Sequence, residues 1–132
     1  MKMVKRVLLL IVEDEEAIAQ MYADRFKQSG FEVEIAHEGS EAVSKMAAVR
    51  PDVVLMDILM PGLSGTEAVE QAKADPATRN IPIIMLTNYP QSDDLKHALS
   101  LGAAGYIVKA ESTPEQIVEK VQKLLVPKPG SG

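Results

Sequence analysis

A chain of 132 residues is the size of one domain. Hydrophobic residues make up 46% and charged residues 25%, so the chain has the balance to build a core without staples. The absence of cysteine excludes disulfides, thiolate zinc sites and cysteine nucleophiles and suits a reducing cytosol, while a net charge of −5 disfavours nonspecific attraction to nucleic acid or anionic membrane.

The first apolar segment, "VLLLIV" (7–12), is far too short to span a bilayer. Lys2, Lys5 and Arg6 precede it, but "EDEE" follows where a signal peptide would carry a longer apolar run and a small-residue cleavage site. The start therefore reads as mature, cytoplasmic protein. The segment ends in Glu13–Asp14. Residues Glu15–Ser29 then place Ile18, Met21, Tyr22 and Phe26 at helical spacing, and Gly30 supplies a stop. "FEVEIA" (31–36) alternates Phe31, Val33 and Ile35 with Glu32 and Glu34, the pattern of a sheet edge with one wet face.

A second helix is predicted over Glu38–Val49, with Ala42, Val43, Met46 and Ala47 on one face and "RPD" closing it. "DVVLMD" (52–57) ends in Asp57, and "MPGLSG" turns the chain sharply away. Ser64–Ala74 carries Ala68, Val69 and Ala72 at helical spacing. "IPIIMLT" (81–87) ends in Thr87. Gln91–Leu101 follows with Leu95, Ala98 and Leu99, and its "SDD" suits N-capping better than a second metal site. "AAGYIVK" (103–109) ends in Lys109. The last helix has the clearest start: Thr113 as cap, Pro114 at the first position and Gln116 completing a capping box, with Ile117, Val118, Val121, Leu124 and Leu125 as its apolar face.

Four of the five apolar segments are near-continuous, as strands covered on both faces are. The order is (βα)5, an α/β fold with a doubly wound five-stranded parallel sheet and right-handed crossovers. Residues 1–126 form this domain. The tail, 127–132, is a linker, a frayed end or a cloning remnant.

Ligands of such sheets bind beyond the carboxyl ends of the strands. Glu13, Asp14, Asp57, Thr87 and Lys109 all fall at that rim. Any one alone is explained by loop polarity; the set is not. Two carboxylates ~4 Å apart repel by roughly 4 kcal/mol at an effective dielectric of 20, and three approach ~10 kcal/mol. That rivals a domain's whole stability of about 5–15 kcal/mol, so the cluster must take up a proton or a cation. Hard oxygen donors without histidine or cysteine favour Mg²⁺, and the D-x-D-x-D-G loop of a calcium site is missing. Asp57 is then a candidate carboxylate nucleophile toward phosphorus, with Thr87 and Lys109 able to meet phosphoryl oxygens.

"LIVEDE", "DVVLMDILMPGLSG", "IPIIMLT", "GAAGYIVKA" and the final helix together resemble a response-regulator receiver domain of the chemotaxis CheY type, over roughly residues 5–126. The resemblance implies strand order 2-1-3-4-5 and a two-component phosphorelay protein. In that reading Asp57 is the phosphoacceptor. Asp14, Asp57 and the carbonyl of Leu59 hold Mg²⁺, with Glu13 assisting through water. Thr87 and Lys109 contact the phosphoryl group, and Tyr106 is the switch aromatic. The implied donor is a phosphohistidine on a sensor histidine kinase or a histidine phosphotransfer protein. The implied output is a protein target met by the face of the fourth helix, fifth strand and fifth helix. The chain would assist its own phosphorylation and dephosphorylation rather than act as a separate enzyme. A monomer or weak homodimer is expected, with no direct contact to nucleic acid or membrane.

Departures from the family pattern stand at defined places. Ala110 follows Lys109 where a proline in a cis peptide is usual, so either strain is accepted or the loop differs. Asn88 replaces a small residue after Thr87 and either crowds the phosphate or donates a hydrogen bond to it. Tyr89 and Leu59 are expected to slow hydrolysis of the acyl phosphate. His37 and His97 read as solvated positions, the methionines mostly as core filler, and Lys45, Lys96, Lys120 and Lys123 as solvated helix faces. A flavin carrier is disfavoured because "EDEE" would repel a bare phosphate. A dehalogenase-like phosphatase would carry D-x-D after the first strand. A phosphorylation-independent interaction module with the same fold is the remaining alternative.

Overall fold

A computed structural model describes residues 6–125; the predicted tail lies outside them. The elements alternate: β1 (Leu8–Val12), α1 (Glu16–Gln28), β2 (Glu32–Ala36), α2 (Gly39–Val49), β3 (Val53–Asp57), α3 (Gly65–Ala74), β4 (Ile83–Thr87), α4 (Asp93–Ser100), β5 (Gly105–Val108) and α5 (Pro114–Leu125). The strands form one parallel sheet in the order β2-β1-β3-β4-β5. The order reverses between β1 and β3, so their carboxyl ends open the crevice where such folds bind ligands.

Two hydrophobic clusters fill the two sides of the sheet. Leu10, Val12, Val54, Met56, Ile83 and Met85 point to one, where Ala42 and Met46 of α2, Ala68, Val69 and Ala72 of α3, and Leu95 and Ala98 of α4 meet them. Leu9, Ile11, Val53, Leu55, Ile84 and Leu86 point to the other, against Tyr22, Ala23 and Phe26 of α1 and Ile117, Val118 and Val121 of α5. This two-sided cover is why β1, β3 and β4 read as unbroken apolar runs: successive side chains face opposite cores. Burying each large side chain stabilises the fold by about 1.5–3 kcal/mol. Phe26 also meets Phe31 edge-to-face at 5.0 Å.

The helix ends follow their sequence signals. Ser64 caps α3 through the Glu67 amide in a reciprocal capping box, which sequence reading had not singled out. Ser92 caps α4, and Thr113 and Gln116 form the predicted box on α5. Gly30 takes a positive φ of 94° after α1, where a side chain would strain the backbone.

Some expectations need correction. β5 is an edge strand, and of its four residues only Ile107 is buried, so it is not covered on both faces. Met21 (44% exposed) and Leu124 (46% exposed) lie at the fringes of their helices' apolar faces, and Ala47 is exposed. Lys45 is not simply solvated: it donates to the Ile35 carbonyl and lies 3.9 Å from Glu41.

Candidate functional site

The rim site is set by strand parity. Glu13 follows Val12, and Asp57 follows Met56; both preceding residues face the α2–α3–α4 core. Alternation therefore turns Glu13 and Asp57 to the α1–α5 side, with Lys109 in phase with Ile107 on that same side. Lys109 itself opens a short 3-10 turn, Lys109–Glu111, directly after β5. Its ammonium Nζ donates to Asp57 Oδ2 at 3.0 Å and lies 3.7 Å from Glu13 Oε2. The β3–α3 loop returns tightly beneath this group. Gly65 donates its amide to the Ile58 carbonyl at 2.9 Å, and a Cβ at residue 65 would collide with the Asp57 carbonyl.

Glu13, Asp14 and Asp57 each offer a carboxylate oxygen, and these atoms lie within 4.8 Å of one another. Glu13 is 1% exposed, and its Oε2 has no hydrogen-bond partner. Burial and then the neighbouring Asp57 push the Glu13 carboxyl up to about 8, with Lys109 offsetting part of the rise. Burial alone would lower the Lys109 pKa, but its hydrogen bond and attraction to Asp57, with Glu13 adding, raise it. Tyr22 of α1, expected only as one of the residues at helical spacing on that helix, lies within reach of these charges; burial foremost raises its phenol. A hard, all-oxygen cluster containing an unpartnered buried carboxylate oxygen fits a divalent cation such as Mg²⁺.

Beside the acidic cluster is a cleft of about 170 Å³, lined by Asp57, Ile58, Leu59, Thr87, Asn88, Tyr89 and Lys109. Thr87 is 5% exposed, and its Oγ accepts the Tyr89 amide at 2.9 Å. Leu59 donates its backbone amide to Asp57 Oδ1 at 3.3 Å while its side chain is 60% exposed. Tyr89, at 62% exposed, stands at the same mouth. Tyr106 is absent from the cleft lining: it pairs in register with Met85 and is 45% exposed on the edge strand.

The two departures at the cleft are now specific. No cis peptide occurs among the described residues, so the lysine loop differs from the expected one and runs as a 3-10 turn. Asn88 turns its Oδ1 to the Ala110 amide at 2.8 Å. That contact has no signature in the order of residues, because it joins positions 22 apart. His37 and His97 are exposed as expected, though His37 Nδ1 also lies 3.2 Å from the Glu13 carbonyl oxygen.

A five-stranded doubly wound sheet with an acidic rim, a strand-end threonine and a lysine on the central aspartate defines a receiver domain. The response regulator receiver domain family matches residues 9–122, and the chain belongs to that family, which serves two-component signalling. It is 35% identical over 117 residues to the phosphate regulon transcriptional regulatory protein PhoB of Rhizobium meliloti (strain 1021), covering 89% of this chain and 51% of that protein. It is 36% identical over 109 residues to the sensory transduction protein RegX3 of Mycobacterium bovis (strain ATCC BAA-935 / AF2122/97), covering 83% of this chain and 47% of that one. The chain thus spans about half the length of the curated relatives it matches. Among solved structures, the chemotaxis response regulator CheY4 of Vibrio cholerae superposes with a TM-score of 0.84 at 31% identity, covering 92% of this chain and all of that one.

Proposed function

We propose that this chain is a phosphorylation-activated signalling switch in which Asp57 accepts a phosphoryl group from a phosphohistidine donor. The carrying observation is the meeting of Asp57, Thr87 and Lys109 around one small cleft, with Lys109 Nζ 3.0 Å from Asp57 Oδ2. A carboxylate oxygen of Asp57 attacks phosphorus while the donor's P–N bond breaks; the electron pair returns to the imidazole nitrogen. Lys109, already paired with Asp57, can exchange part of that pairing for a phosphoryl oxygen as charge moves outward. Thr87 has a hydroxyl hydrogen to donate to a second oxygen, because its Oγ serves as acceptor to Tyr89. Glu13 and Asp14, together with Asp57 and the Leu59 carbonyl, would hold Mg²⁺, which supplies charge neutralisation at the phosphoryl oxygens when bound.

The donor is a sensor histidine kinase or a histidine phosphotransfer protein in the cytoplasm. Among the described residues no helix is long and apolar enough to cross a membrane. Tyr106 lies on the exposed edge of the sheet, and the face of α4, β5 and α5 around it meets the output partner. Movement of Thr87 toward the phosphoryl group vacates space, and an inward turn of Tyr106 fills it; phosphorylation biases this equilibrium between two packings. The chain works as a monomer or weak homodimer. Beryllofluoride with Mg²⁺ should shift the Tyr106 ring resonances in an NMR spectrum of the wild-type protein and leave those of Asp57→Asn unchanged. Unchanged resonances in both would favour a phosphorylation-independent interaction module.

A further inference from the structure

The last paired step of β4 and β5 is Thr87 opposite Val108. Beyond it the backbone ladder stops, yet Asn88 Oδ1 accepts the Ala110 amide at 2.8 Å. That amide lies in the first turn of the 3-10 segment Lys109–Glu111, where N–H groups lack a partner within the turn. A proline at 110 could not make this bond, having no N–H. The same turn carries Lys109, whose Nζ lies 3.0 Å from Asp57 Oδ2 and 3.7 Å from Glu13 Oε2.

We infer that Asn88 is a positioning residue: its side-chain carbonyl extends the β4–β5 pairing by one tie and fixes the turn that aims Lys109 at Asp57. Asn88 lines the cleft, but its oxygen is committed to Ala110. Through that oxygen it acts on the chemistry by way of Lys109, and only its Nδ2–H groups are left to donate elsewhere. Anchoring the backbone beside Lys109 removes main-chain freedom that would otherwise add to that of its four rotatable side-chain bonds in spreading Nζ. Misplacement on that scale costs a large factor in rate.

The inference rests on Asp57 being a phosphoacceptor, and the experiment separates the two. The 132-residue protein is incubated with Mg²⁺ and acetyl phosphate, and phosphoprotein is quantified against time for the wild type, Asn88→Ala, Lys109→Ala and the double variant. Asn88→Ala should slow labelling about tenfold at saturating donor, with the half-saturating donor concentration changed less than twofold. In the Lys109→Ala background the same substitution should change the rate less than twofold, because the residue it positions is gone. In the metal-free proteins, amide exchange should quicken at least about fivefold at Ala110 in Asn88→Ala, and NMR relaxation should show a looser Lys109 side chain. A wild type that takes no label at all overturns the phosphoacceptor reading and this inference with it. A labelled wild type with equal or faster labelling of Asn88→Ala overturns the inference alone, the faster result marking Asn88 as an obstruction. An equal loss in both backgrounds, or unchanged Ala110 exchange and Lys109 relaxation, overturns it as well.

Discussion

Glu13 is the residue whose position costs the metal-free fold most visibly. It is 1% exposed, faces Asp57, and keeps one carboxylate oxygen without a hydrogen bond. Below its ordinary 4.5 the side chain is protonated in both folded and unfolded protein. Between 4.5 and about 8 the folded protein retains a proton that the unfolded chain releases. Stability conferred by that proton is thus lost as pH rises through the window. Urea unfolding of the metal-free protein should show a midpoint that falls from about pH 5 to about pH 8. Glu13→Gln should flatten this slope and raise the midpoint at pH 8, while weakening the response to Mg²⁺. A slope identical in both proteins would remove Glu13 as its source. Tyr89 belongs to the same scale. Its ring stands 62% exposed at the cleft mouth, placed to hinder water reaching an acyl phosphate. Tyr89→Ala should shorten the lifetime of phosphorylated protein several-fold in a label-decay assay, on the order of 1 kcal/mol of barrier; an unchanged lifetime would assign hydrolysis control elsewhere.

At the level of elements, capping decides where helices begin and therefore where the loops of the rim start. Thr113 and Gln116 exchange hydrogen bonds of 3.1 and 2.9 Å at the start of α5, four residues beyond Lys109. Thr113→Ala should cost about 1 kcal/mol in a denaturant melt, and a cost near zero would mean that Gln116 or water replaces the cap. Strand and helix existence, order and the caps of α4 and α5 were legible because apolar periodicity and terminal signals are local. The covering of each element was less so. "AAGYIVK" looks like a strand buried on both faces, yet β5 has a neighbour on one side only and exposes Tyr106. Met21 and Leu124 share their helices' apolar periodicity but lie at its margins, only about half covered. Periodicity names a face; it does not say how wide the opposing surface is.

On the scale of the whole molecule, topology turns distant residues into one site. The reversal of strand order between β1 and β3 sets Glu13 and Asp14 beside Asp57, and β4 and β5 bring Thr87 and Lys109 alongside. The acidic cluster and its lysine were readable in advance, because carboxylates at successive strand ends have no cheap structural reason to be there. The tie between Asn88 and Ala110 was not: it depends on the path of a turn, and an asparagine oxygen has many possible partners. Nor did spacing reveal that Tyr22 comes within electrostatic reach of Lys109, since a tyrosine on an apolar helix face reads as core. The same convergence should make stability metal-linked. A ligand present at a hundred times its dissociation constant, bound only by the folded state, adds about 2.7 kcal/mol, so Mg²⁺ should raise the melting temperature by several degrees.

The most direct measurement is to locate the phosphoryl group itself. The protein is incubated with acetyl phosphate, with and without Mg²⁺, trapped by borohydride reduction, digested and mapped by mass spectrometry. Conversion of Asp57 to homoserine in the Mg²⁺ sample alone is the expected result. Failure to modify Asp57 with Mg²⁺ present, or modification of another carboxylate in its place, would contradict the assignment of this rim as a phosphoryl-accepting switch.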